Sequence, residues 1–132
     1  MKTVENRRSS RLVADLAGAR TVLLTTYRRN GSPVNTPVHL AIEDGRAFFR
    51  TFDRAGKIKR LRRNPQVEVA PCTARGRVTG RALSATARIL TGDGAARARR
   101  ALAGKYPFIH GVLVPMAHRL RGYRTVHLEL TG

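Results

Sequence analysis

Two dipeptides, Asn30-Gly31 and Asp44-Gly45, constrain this chain more than any other feature. Tight hairpin turns need left-handed backbone at their centre, which Gly adopts freely and Asn or Asp tolerates. Each dipeptide lies between runs with strand character. Thr21 to Tyr27 is β-branched and apolar, Pro33 to Glu43 follows the first turn, and Arg46 to Phe52 follows the second. The pattern predicts three consecutive antiparallel strands, a meander in which Thr36-Pro37-Val38 lies opposite Arg50-Thr51. Pro33 and Pro37 lack an amide donor, so the middle strand is expected to be unevenly paired or bulged near Pro37.

The remaining segments extend the same plan. Ser9-Ser10 precede Arg11 to Ala17, where Leu12, Val13 and Leu16 share one helical face before Gly18. From Asp53 a second helix is expected, with Ile58 and Leu61 as its apolar stripe and Asn64-Pro65 as its stop. Gln66 to Cys72 is apolar at Val67, Val69 and Pro71, so it reads as a half-buried strand. After a turn at Ala74 to Arg77, Val78 to Leu90 reads as one long strand. Gly92-Asp93-Gly94 leads into a helix from Ala95 to Gly104, rich in Ala and Arg. Tyr106 to Leu120 is ambiguous, and Gly122 to Leu130 alternates as a final strand. The expected fold is mainly β with short α-helices, a six-stranded antiparallel barrel, closed or nearly so. One domain is expected over 1–132: helix and arm 1–19, barrel core 20–91, helical insertion 92–121 and final strand 122–132.

Charge bounds the partners. Lys and Arg total 26 against 8 Asp and Glu, a formal +18. Such a surface attracts polyanions. Nucleic acid, an anionic membrane and an anionic small molecule all fit, and arginine-favouring codon usage accounts equally for the scattered arginines. Four Phe, three Tyr and no Trp leave little for base stacking, and no helix-turn-helix or aromatic RNA-binding signature is present, so nucleic acid is disfavoured. No apolar run is long enough to span a membrane, and the first residues lack the apolar stretch of a signal peptide, so a cytoplasmic protein is expected. Cys72 has no second cysteine to pair with, and reads as a packed strand residue. His39, His110, His118 and His127 match no metal spacing, so no metal is expected.

The densest local feature follows the third strand: Arg54, Lys57, Lys59, Arg60, Arg62 and Arg63, with Gly56 before the first lysine. A helix start carries unsatisfied amide donors and a partial positive charge, which suits phosphate. On a helical wheel Lys57 and Arg62 flank the Ile58–Leu61 stripe, while Lys59 and Arg63 point outward. Lys57 is therefore best placed to reach a site at the edge of the core. A solvated charged face explains the same run equally well. No hydrolase, Walker A or dinucleotide-binding pattern is present, and the acids form no convincing catalytic pair, so catalytic residues stay unassigned.

Several pieces in order resemble the pyridoxamine 5'-phosphate oxidase-like split-barrel superfamily. They are Leu23-Leu24-Thr25-Thr26-Tyr27-Arg28, Asn30-Gly31-Ser32-Pro33, Thr36-Pro37-Val38, Asp44-Gly45-Arg46, Phe49-Arg50-Thr51 and Gly56-Lys57. Leu61-Arg62-Arg63-Asn64-Pro65-Gln66-Val67, Ala70-Pro71-Cys72, Gly76-Arg77 and Ala85-Thr86-Ala87 continue the series. The set looks like the F420-dependent branch, the flavin/deazaflavin oxidoreductases of type B. The resemblance implies a homodimeric split barrel with a cofactor at the interface, F420 favoured and FMN the alternative. It implies Arg54, Lys57 and Lys59 for the cofactor phosphate, and Thr36, Pro37, Val38, Arg50 and Thr51 for its ring. Tyr106 and Tyr123 are candidates for closing the pocket from the partner protomer. The implied activity is hydride transfer with a small organic substrate, with a non-catalytic flavin or F420 carrier as the alternative.

Overall fold

The computed structural model describes residues 11–106, 116 and 119–132. Ser9, Ser10, His110 and His118 lie outside the described residues. Helix α1 covers 11–16 and ends before Gly18, whose φ is +83°. Seven strands and two further helices follow: β1 (Thr21–Tyr27), β2 (Pro33–His39), β3 (Ala41–Glu43), β4 (Arg46–Phe52), α2 (Gly56–Arg63), β5 (Gln66–Cys72), β6 (Leu83–Leu90), α3 (Gly92–Lys105) and β7 (Thr125–Thr131). The strands form one antiparallel sheet in the order β2-β1-β5-β6-β7-β4-β3.

The two turn signals both form hairpins, but of different kinds. Asp44 and Gly45 take φ values of 52° and 73°, the paired left-handed conformation of a two-residue turn. At the first turn Gly31 is left-handed at +86°, and the amide of Gly31 donates to the Arg28 carbonyl. The Asn30 carboxamide oxygen accepts from the Ser32 amide and hydroxyl at 3.0 and 2.7 Å, which fixes the wider loop.

The expected meander is corrected at its middle strand. That strand divides at Leu40 into β2 and β3. β2 pairs with β1, with Leu23 facing Pro37 and Leu24 facing Thr36. β3 pairs with β4, with Ala41 facing Phe48. Thr36-Pro37-Val38 therefore does not lie opposite Arg50-Thr51, because β4 pairs instead with β7, Arg50 to His127 and Thr51 to Val126. The break falls at Leu40 rather than Pro37. Pro37 stays in register because β2 is an edge strand with one neighbour, so its missing donor costs no ladder bond on the open side. The two ends of the sheet are thus joined by one continuous backbone, and a six-stranded barrel is counted as seven strands.

Other boundaries moved. β6 begins at Leu83, and Val78 contributes only an isolated bridge to Cys72. α3 begins at Gly92, so Gly92-Asp93-Gly94 forms its first turn instead of a lead-in.

The barrel core contains Val22, Leu24, Val38, Phe49, Val67, Val69, Ala85, Leu128 and Leu130, joined by Leu12 and Leu16 of α1 and by Ile58 and Leu61 of α2. A second cluster lies outside the barrel, where Ala98, Ala101, Leu102 and Tyr106 cover Ala41 and Phe48. α3 therefore seals the outer face of β4 and β7. This explains why β7 is buried on both faces, His127 and Glu129 included, although its sequence alternates.

Candidate functional site

β4 hands over to α2 at Asp53. The Asp53 amide donates to the Arg124 carbonyl at 2.8 Å, and the Arg124 amide donates to the Asp53 carboxylate at 3.1 Å. This pins the loop to the approach of β7. Phe52 and Tyr123 stack with centroids 4.8 Å apart, and the Arg54 guanidinium lies 5.9 Å from the Tyr123 ring centroid. Tyr123 thus supports Arg54 within its own protomer. Arg54 is exposed beside the first turn of α2.

α2 holds its cations in distinct places because Ile58 and Leu61 are almost fully buried in the barrel. Lys57 is half-buried, and its Nζ lies 3.5 Å from the Thr51 hydroxyl. Burial, and next the Arg60 charge, lower the Lys57 pKa. Arg60 donates from Nε to the Thr26 hydroxyl at 2.7 Å, and its own pKa is lowered by burial and then by Arg28 and Arg63. Arg63 donates to the Tyr27 carbonyl at 3.0 Å. Lys59 and Arg62 are exposed. The first turn carries no acid, and Ala55 at the N-cap makes no side-chain capping bond. Glu129 pairs with Arg88 at 2.7 Å and with Arg46 at 4.0 Å, and among the described residues no ion pair reaches α2.

The structure divides the expected ring contacts between two faces. Val38 belongs to the barrel core and Thr36 shares its face, whereas Pro37 turns to the outside, where a Cβ on Gly76 would lie 3.3 Å from its ring. Thr51 meets Lys57. Arg50 alternates away from Thr51 to the side covered by α3, where burial and then Arg99 push its pKa down to about 10. Arg50, like Pro37, therefore faces away from Thr36, Val38 and Thr51, and the period-two rule alone keeps Arg50 and Thr51 from sharing a face. Thr36, Thr51 and Lys57 remain at the end of the barrel near α2. There β2 has a partner on one side only, and β4 beyond Phe48 has lost β3, so two open strand edges diverge.

Tyr106 does not project outward. It is buried, and its hydroxyl lies 2.7 Å from the Arg20 carbonyl and 2.9 Å from the Leu40 carbonyl, bracing the break between β2 and β3. The sequence placed Arg60 in the basic cluster but did not show its pairing with Thr26, 34 residues away, nor the Phe52–Tyr123 platform. Both depend on contacts between distant segments.

The donor set fits a phosphate: an ammonium, an adjacent guanidinium and a helix start without an acid. No group of three His, Cys, Asp or Glu gathers among the described residues. No described helix is long and apolar enough to cross a membrane.

The fold is shared with solved structures. A protein of unknown function from Agrobacterium tumefaciens str. C58 superposes with a TM-score of 0.70 at 20% identity, over 92% of this chain and 52% of that one. The present chain thus spans about half the length of the Agrobacterium protein. HutZ, a heme storage protein from Vibrio cholerae, gives 0.66 at 15% identity, over 92% and 87%. A heme-binding protein from Mycobacterium smegmatis gives 0.62 at 18%, over 96% and 50%. No curated protein sequence matches. The sequence profile described as "Pyridoxamine 5'-phosphate oxidase" matches residues 10–127, nearly the whole chain. With its antiparallel split barrel and that match, the chain belongs to the pyridoxamine 5'-phosphate oxidase family.

Proposed function

We propose that this protein binds a phosphorylated flavin-type cofactor, F420 in preference to FMN, and acts as a homodimeric oxidoreductase on a small organic substrate. The observation that carries the reading is the cation cluster of α2 without a compensating carboxylate, next to two open strand edges. Lys57 and Arg54 would hold the phosphate, with Thr51 orienting the Lys57 ammonium. Thr36 and Val38, with the free edges of β2 and β4, would meet the ring. Lys59, Arg62 and Arg63 lie farther along the helix and suit the additional carboxylates of F420, which FMN lacks. Bound in its reduced form, such a cofactor supplies a hydride. The chain's own work is to hold the phosphate, fix the ring and exclude water.

Fluorescence titration with F420 and FMN at two ionic strengths tests this. The expected result is binding of both, with a steeper loss for F420 as salt rises. Lys57→Ala is expected to weaken binding at least about tenfold, the loss of one charge-assisted phosphate contact. Quenching by neither cofactor overturns the reading. Equal salt slopes remove the preference for F420. The heme-binding and heme-storage neighbours motivate a carrier as the second reading, favoured if binding is tight and turnover is absent with quinones, nitro compounds and tetrapyrroles.

A further inference from the structure

A second polar region lies on the outside of the barrel. Thr21, at the start of β1, sits in register between His39 of β2 and Cys72 of β5. Neighbours across a ladder share a face, and Val22 points into the barrel core, so this row of three faces outward. A cavity of about 560 Å³ opens over it, lined by Arg20, Thr21, His39, Cys72 and Thr79, with Ala19, Pro71 and Ala74 as apolar wall. Its lining holds no Asp or Glu.

Positive charge converges on this cavity from two elements. The segment before β1 supplies Arg20. The end of α3 supplies Lys105, whose ammonium donates to the Ala19 and Leu40 carbonyls at 2.9 and 2.8 Å and is thereby fixed beside the wall. His39 stacks on Tyr106 at 4.9 Å, and Arg20 and Lys105 lie 5.7 and 5.4 Å from the centroid of that same ring. The His39 pKa is lowered, first by burial and then by Arg20 and Lys105, so a positive field already exists there.

We infer that this outer cavity binds a small organic oxyanion, a carboxylate or phosphate on an apolar body. Arg20 is its charged anchor, Thr21 and Thr79 can donate hydroxyl hydrogen bonds, and Pro71 with the two alanines receives the body. The size suits a small organic molecule better than a bare ion, since such pockets run from about 300 to 1,000 Å³. The site is separate from α2. Thr26, five residues along β1 and so about 17 Å away, is the position that meets Arg60.

The chain's sole cysteine reports on the cavity. Alkylation of Cys72 by iodoacetamide is followed at alkaline pH, because burial pushes the thiol pKa up. Phenyl phosphate and benzoate are expected to slow the reaction saturably, and phenol is not. Arg20→Ala is expected to weaken that protection about tenfold, the loss of one charged contact. Lys57→Ala is expected to leave it unchanged. The His39 ring protons, assigned by His39→Gln, are expected to shift in NMR spectra on adding phenyl phosphate, a readout independent of the thiol. The inference is overturned if neither anion changes alkylation or the His39 signals. It is also overturned if phenol acts as well, or if protection survives Arg20→Ala but is lost in Lys57→Ala.

Discussion

His39 shows how one side chain records its surroundings. Burial, Arg20 and Lys105 all disfavour its protonated form in the folded protein. In the unfolded chain it titrates near about 6.5, so below that pH the unfolded state binds more protons. Stability from this residue is therefore complete above the unfolded pKa, and falls as pH drops from there toward the lowered folded value. His39→Gln is expected to flatten the decline in denaturation midpoint as pH falls below about 6.5, measured by urea unfolding across pH. An unchanged slope would place the acid sensitivity elsewhere. Lys57 obeys the same logic with a different readout. Its ammonium is already disfavoured, so cofactor affinity is expected to decline with rising pH below the ordinary lysine range. At this scale the sequence is informative about residue type and poor about company. Lys57 stood out as a cation at a helix start. Its hydroxyl neighbour Thr51, and the pairing of its helix neighbour Arg60 with Thr26, were set by tertiary approach.

Helix α2 matters less for its intrinsic stability than for the depth at which it sits. Eight residues form a marginal helix in isolation, so packing must hold it. Ile58 and Leu61 provide that packing, at 1% and 3% exposure. Ile58→Ala is expected to cost about 2–4 kcal/mol in chemical denaturation, the range for emptying a filled aliphatic site. A cost under about 1 kcal/mol would mean that the helix is not anchored through this residue. The helix was legible because its signals are local: a stripe three residues apart, and Asn64-Pro65 as a stop. The hairpins were legible for the same reason. The division of the strand at Leu40 was not, because it follows from which distant strand each half adopts. Pro37 carried a strong local signal and drew the expected irregularity to itself, three residues from where it occurs. The face of Arg50 was within reach of simple alternation, since it adjoins Thr51 on one strand.

Seen whole, the protein holds a formal +18, and among the described residues Glu129 pairs with Arg88 and Arg46. Like charges repel more strongly in the compact state than in the expanded one, and salt screens that repulsion over about 8–10 Å. The melting temperature is expected to rise between low salt and about 0.3 M sodium chloride, checked by calorimetry, in the range where screening lengths fall below typical surface spacings. A falling melting temperature would show that attractive pairs dominate after all. Glu129 runs against the general trend. It is buried between Arg88 and Arg46, a local exception that ties β6, β7 and β4 together.

The strand that changes partners at Leu40 has a consequence for protein engineering. It makes closure of the ring a matter of chain continuity at one peptide link, braced by the Tyr106 hydroxyl and the Lys105 ammonium. New termini introduced by circular permutation at the Asp44-Gly45 loop would leave that link intact. The same cut placed at residue 40 would turn a hoop into a ribbon with two loose ends.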